Sequence, residues 1–184
     1  QLYLQAVESA PDFADAHFNL GNALSMQGRS GEALSSYGRA VELQPGHVQA
    51  HLNLGATLLR CQSAAGAEKT YREALRLRPE SAHAWTGLGC ALEANAKPEE
   101  ARVAFERALA IDPANEGSSS RLAQLLRERG DAKAALDVLA RSLHATPESS
   151  LLLRTQADIN GGVGEYDDAI AAYRKILALS NGTN

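Results

Sequence analysis

AHFNLGNALSMQGRSGEALSSYGRAVELQPGH, residues Ala16–His47, is the stretch that decides the fold, because its landmarks return every 34 residues. Leu20 is followed by Leu54, Leu88 and Leu122, and Gly21 by Gly55 and Gly89. Ala33 recurs as Ala67, Ala101, Ala135 and Ala169, and Tyr37 as Tyr71, Phe105, Leu139 and Tyr173. Pro45 has counterparts at Pro11, Pro79, Pro113 and Pro147. A fixed period of this size marks a stack of small units, none of which can bury its apolar face alone.

Inside one period the pattern reads as two helices. His17, Leu20, Gly21 and Leu24 stand at i, i+3, i+4 and i+7, one face of a helix. Gly28 supplies a left-handed stop. Ala33, Tyr37, Ala40 and Val41 then line one face of a second helix, which Pro45 prevents from continuing. Small residues at Gly21 and Ala33 allow close helix approach, and Tyr37 fills the gap towards the next unit. Gly130–Asp131 reads as a helix end followed by an N-cap. Pro98 with Glu99 and Glu100 suits a first helical turn.

This period and these residue types resemble the tetratricopeptide repeat (TPR) family over the whole chain. The resemblance implies an all-α, right-handed superhelical solenoid of stacked antiparallel helix pairs. The expected units are 14–47, 48–81, 82–115, 116–149 and 150–183, one continuous array preceded at 1–13 by the second half of a truncated repeat. Tyr3 and Ala6 match Tyr37 and Ala40 in that half repeat. The fourth unit starts irregularly, because Glu116–Ser120 places a glycine and three serines at a helix start and Ser119 falls in the column of His17, His51 and Trp85. In the fifth, Gln156 and Asn160 replace column leucines and Gly161, Gly162 and Gly164 crowd the turn. Residues 116–184 are therefore expected to be softer than the first half. The tail after Ser180 reads as disordered, and no capping helix follows it.

Composition narrows the function. The net charge of −4 and the lack of a basic run argue against nucleic acid. No apolar run approaches the roughly 20 residues of a membrane span, so membrane insertion is not expected. Cys61 and Cys90 lack metal-ligand spacing and read as buried small hydrophobes. His47 and His51 lie at i and i+4, but His51 shares its column with His17 and Trp85 and reads as a packing residue. There is no phosphate-binding glycine loop and no nucleophile motif, and the paired carboxylates Asp167–Asp168 and Glu99–Glu100 read as helix-start charges. Neither an enzymatic site nor a cofactor is expected.

In TPR arrays the leading helices line a concave groove. The resemblance thus singles out Phe18, Asn19, Asn22 and Ser25, then Leu52, Asn53, Ala56 and Leu59, then His83, Thr86, Gly87, Cys90 and Glu93. Ser120, Arg121, Gln124 and Arg127 follow, with Arg154, Thr155 and Asp158 in the last unit. Asn19 and Asn53 each precede a Leu-Gly, and an amide can pair with any peptide backbone. The pair is similar to the asparagine ladder of the TPR region of O-GlcNAc transferases, although Gly87, Arg121 and Thr155 fill the later rungs. The carboxylate clamp of chaperone-binding TPR proteins is matched only at Asn22 and Asn53, because Phe18, His83 and Gly87 stand where that clamp has its cations. Arg121, Arg127 and Arg154 make the C-terminal groove basic, suited to a carboxylate-bearing segment whose apolar part lies on Phe18, Leu52 and Leu59. The expected function is a scaffold holding a protein or peptide segment in the groove. The alternatives are a docking region of a larger transferase, and an array that self-associates end to end through uncapped terminal repeats.

Overall fold

The structure, a computed structural model, describes residues 5, 7 and 9–181. Tyr3, Ala6 and the tail at 182–184 lie outside the described residues. Among the described residues after Asp12 there are ten helices: α1 (Ala14–Met26), α2 (Ser30–Leu43), α3 (Val48–Arg60), α4 (Ala64–Leu77), α5 (Ala82–Ala94), α6 (Pro98–Ile111), α7 (Glu116–Glu128), α8 (Ala132–Ala145), α9 (Ser150–Val163) and α10 (Tyr166–Asn181). No strand occurs among the described residues. The architecture is all-α, built of helices joined by short turns.

Two compact units divide the chain, Gln1–Lys97 and Pro98–Asn184. In the first, α1 packs on α2, α3 on α4, and α2 and α4 each on the helix that follows; the leading helices also touch, α1 with α3 and α3 with α5. In the second, α6 to α10 pack in sequence and α7 additionally meets α9. Contact between successive leading helices lets neighbouring pairs share an apolar face.

Five turns inside the pairs share one geometry. Gly28, Gly130 and Gly164 have φ of 75°, 84° and 90°. A backbone bond closes each turn, such as Arg29 N to Leu24 O at 3.0 Å and Asp131 N to Leu126 O at 3.0 Å, the six-to-one closure of a helix C-terminus. Gln62 and Ala96 adopt the same left-handed conformation, at φ 58° and 56°, without being glycine. Their turns close in the same way, Ser63 N to Leu58 O and Lys97 N to Leu92 O, both 2.9 Å.

Turns between pairs carry a second repeated bond. The ring nitrogens of His17, His51 and Trp85 bond the carbonyls of Pro11, Pro45 and Pro79 at 2.8, 2.9 and 2.8 Å. His51 is thus a stapling residue in the turn, in line with its packing column.

Tyr37 and Tyr71, each 2% exposed, anchor the first core. A Cβ on Gly21 would lie 2.6 Å from Tyr37 Cε1, and one on Gly87 only 2.2 Å from Tyr71 Cζ. Gly87 is therefore the seat of a tyrosine and not a groove residue. Burial, followed by the nearby Cys90, pushes the Tyr71 hydroxyl up to about 12. In the second unit, Ala123, Ala135, Leu139, Leu152 and Ile159 form the core.

The serines at the start of α7 do not delay it. Asn115 caps the helix, its Oδ1 accepting from Ser118 N at 2.9 Å. Ser119 donates to Asn115 O and also bonds the Ser142 hydroxyl, and Ser120 bonds the Thr155 hydroxyl at 2.9 Å. These four side chains are buried, so Ser120 and Thr155 leave the groove and belong to the interior, where each hydroxyl satisfies another. Cys61 corrects its expectation too: it is exposed just past α3, whereas Cys90 is half-buried.

Candidate functional site

An open cleft of about 580 Å³ lies between α1 and α3, lined by Asn22, Ser25, Met26, Tyr37, Asn53, Ala56, Thr57 and Arg60. Its floor is a hydrogen-bond relay. Asn22 Oδ1 accepts from the Tyr37 hydroxyl and from Asn53 Nδ2, each at 2.8 Å. Asn53 Oδ1 in turn accepts from Gln49 Nε2 at 3.0 Å. Asn22 Oδ1 thereby uses both lone pairs and Asn53 Oδ1 one of its two, while amide N–H groups of Asn22 and Asn53 remain for a ligand. Arg60, at the C-terminal end of α3, donates to Ser25 Oγ at 2.6 Å and to Thr57 Oγ1 at 3.2 Å. Both partners are neutral, and among the described residues no carboxylate pairs with this guanidinium. Met26, 90% exposed, forms an apolar, adaptable rim.

The relay changes the meaning of the asparagine pair. Asn53 is not a free rung: it is braced from both ends, and its partner across the helices is Asn22. Asn19 is half-buried and lies outside the cleft lining. Leu52 is 4% exposed and is removed from the candidate surface, because four other helices contact α3. Phe18 is half-buried against other rings, 6.1 Å from Tyr37 and 4.7 Å from His47 between centroids. His47 also caps α3 through Nδ1 and faces Asp15 at 3.3 Å. Leu59 and Thr86 are half-buried and His83 is exposed. The Thr86 hydroxyl donates to Ala82 O at 2.9 Å.

In the second unit, Arg121 and Arg127 are exposed on α7, Gln124 is half-buried between them, and Arg154 is exposed on α9. None of them lines the unit's cleft of about 400 Å³ between α6 and α8, or that of about 510 Å³ between α8 and α10. Arg154 acts on Tyr173: the bond Tyr173 donates to Asp158 at 2.6 Å holds its hydroxyl above the usual range, and Arg154 partly offsets this.

Sequence reasoning missed Met26, Thr57 and Arg60. The spacing held a signal for Arg60, which lies at i+7 from Asn53 and i+4 from Ala56 on one helix face. Among the described residues no cluster of histidine, cysteine, aspartate and glutamate could hold a metal ion, and no helix is long and apolar enough to cross a membrane.

A family model described as the cytochrome c-type biogenesis protein H TPR domain matches residues 69–183. Two tetratricopeptide repeat models match residues 2–35 and 24–89. No curated protein matches the chain significantly in sequence. Among solved structures, MamA is similar at a TM-score of 0.75 and 20% identity, covering 89% of this chain and 95% of MamA. YrrB, described as a TPR protein with an unusual peptide-binding site, gives 0.71 and 20%, covering 97% and 92%. PilF of Pseudomonas aeruginosa gives 0.78 and 21%, covering 90% and 75%.

Proposed function

The chain belongs to the tetratricopeptide repeat family, and we propose that it is an interaction scaffold whose first unit holds a partner segment in the cleft between α1 and α3. The observation that carries this reading is the donor excess of the cleft: Asn22 Oδ1 is saturated by internal bonds, while amide N–H groups and a guanidinium facing only neutral partners stay available. Such a surface takes acceptors, the carbonyls of an extended backbone on Asn22 and Asn53 and a carboxylate on Arg60. The partner is therefore a protein segment bearing an aspartate, a glutamate or a C-terminus, with an apolar residue against Met26. YrrB, a similar fold with a peptide-binding site, adds support of a general kind. This reading moves the cationic anchor from Arg121, Arg127 and Arg154 to Arg60.

The test is selection from a displayed library of random heptapeptides, with wild type and Arg60→Ala as baits. Wild type should enrich acidic sequences. Arg60→Ala should bind a selected peptide about 10- to 100-fold more weakly, the loss of about 1.5–3 kcal/mol for a charged hydrogen bond. Equal affinity for both baits, at equal helicity, would remove Arg60 from the site. Enrichment without acidic residues would refute the reading of the cleft.

A further inference from the structure

Tyr166, Ile170, Tyr173 and Leu177 stand at i, i+4, i+7 and i+11 on α10, a single stripe along the helix, and they are 67, 47, 43 and 60% exposed. The equivalent columns of α2 hold Ser30, Leu34, Tyr37 and Val41, and those of α4 hold Ala64, Glu68, Tyr71 and Leu75, all half-buried or buried. The following helix packs against them, α3 on α2 and α5 on α4. Among the described residues, α10 packs on α9 alone. The stripe therefore has the chemistry of an inter-repeat face that no helix among the described residues covers.

We infer that α10 is a dimer interface, covered by α10 of a second copy running antiparallel about a twofold axis. The stripe maps onto itself when the helix is reversed about the point between Ala171 and Ala172. Tyr166 then lies opposite Leu177 and Ile170 opposite Tyr173, an aromatic against an aliphatic side chain at every position. The rim is complementary as well. Asp167 and Arg174 are both exposed and flank the stripe on the same side. A twofold axis that reverses the helix keeps this rim facing its own copy. Asp167 of one chain then lies about 3 Å along the axis from Arg174 of the other, twice over. A parallel pairing would set the charged rim against Ala169 and Ile176 and leave the charges unmatched. Tyr173 is oriented in advance by its bond to Asp158.

Each stripe side chain leaves on the order of 100 Å² to cover, about 800 Å² over both copies. That falls short of the ~1,200 Å² of a standard interface, which puts the contact in the class of weak, reversible associations. The isologous contact closes on itself and gives a dimer, whereas head-to-tail stacking of repeats would give an open filament.

Sedimentation of the chain from low micromolar to several hundred micromolar tests this. The wild type should pass from monomer to dimer. Ile170→Asp should stay monomeric at every concentration. Asp167→Arg should weaken the dimer about tenfold, and adding Arg174→Asp to it should restore wild-type association. Circular dichroism identical to wild type establishes that the exposed substitutions leave the fold intact. A wild type that stays monomeric, one that grows beyond a dimer, or a double charge variant no better than the single one would overturn the inference. Loss of acidic-peptide binding leaves this test untouched, since the cleft and the stripe share no residue.

Discussion

Adding one methyl group at Gly87 probes the joint on which the first unit depends. A Cβ there would lie 2.2, 2.3 and 2.8 Å from Cζ, Cε1 and Cε2 of Tyr71. Carbon atoms settle at about 3.5–4.0 Å, so the ring would have to retreat by more than 1 Å. Tyr71 is 2% exposed and has no open side to retreat into. Overpacking of this kind costs about 1–3 kcal/mol, here near the upper figure because the contact is with a ring face. Alanine recovers about 1 kcal/mol of helix propensity over glycine, which leaves a net loss of about 2 kcal/mol. Gly38 is the internal control: it lies within α2, and a Cβ there would meet nothing within 4 Å. Gly38→Ala should stabilise by about 0.5–1 kcal/mol. Urea unfolding followed by circular dichroism separates the two, with the Gly87→Ala midpoint falling by about 1 M for a slope near 2 kcal/mol/M. In a Tyr71→Leu background, Gly87→Ala should cost much less, because leucine already serves this column at Leu139. Gly87→Ala as stable as Gly38→Ala would refute the steric argument.

Two further outcomes follow from local geometry. Ala96 holds φ at 56°, so Ala96→Gly should stabilise by about 1 kcal/mol and raise the thermal midpoint; an unchanged or lower midpoint would mean that the left-handed turn carries no strain. Burial alone would raise the Glu68 carboxyl, but hydrogen bonds from Arg72, Lys97 and Asn95 outweigh it and hold it below its ordinary 4.5. A depressed folded value means that the stability it contributes is present above about pH 4.5 and is lost as pH falls through the lower folded value. Glu68→Gln should therefore cost about 1–2 kcal/mol at pH 7 and flatten the fall in stability below pH 4.5; equal acid sensitivity in thermal melts of both proteins would contradict this.

Much of the scaffold is legible because repetition multiplies each signal. Tyr37 alone says little, but Tyr37, Tyr71 and Phe105 at one spacing point to a buried column, and Gly28 and Gly130 mark their turns through the one residue type suited to φ > 0. Legibility fails where a position keeps its geometry and loses its usual residue. Gln62 and Ala96 make the glycine turn without glycine, because the closing backbone bond dictates the conformation. Ser119 and Ser142 look like defects one at a time and become a satisfied pair only when α7 and α8 are set side by side. Leu52 illustrates the opposite limit: its column faces the groove in principle, yet the helices around α3 bury it. The cleft was half legible. Asn22 and Asn53 stand out by type, but their mutual bond joins residues 31 apart, and the charge of Arg60 acquires meaning only from the neutrality of Ser25 and Thr57.

Tyr37 and Tyr71 occupy the same column but rest on different floors. Tyr37 donates to Asn22, which is held by Asn53 from the following helix, whereas Tyr71 lies on Gly87, the counterpart of Asn53 one period later. The modules are thus keyed at their joints and are not interchangeable beads. Excising residues 48–81 would rejoin the period without a gap in register, yet it would set Tyr37 over Gly87 and strip Asn22 of its amide partner. A deletion that respects the hairpin boundaries therefore still breaks a matched set, because Asn22, Tyr37 and Asn53 come from three successive helices. The segment that gene rearrangement must keep together is α1 to α3.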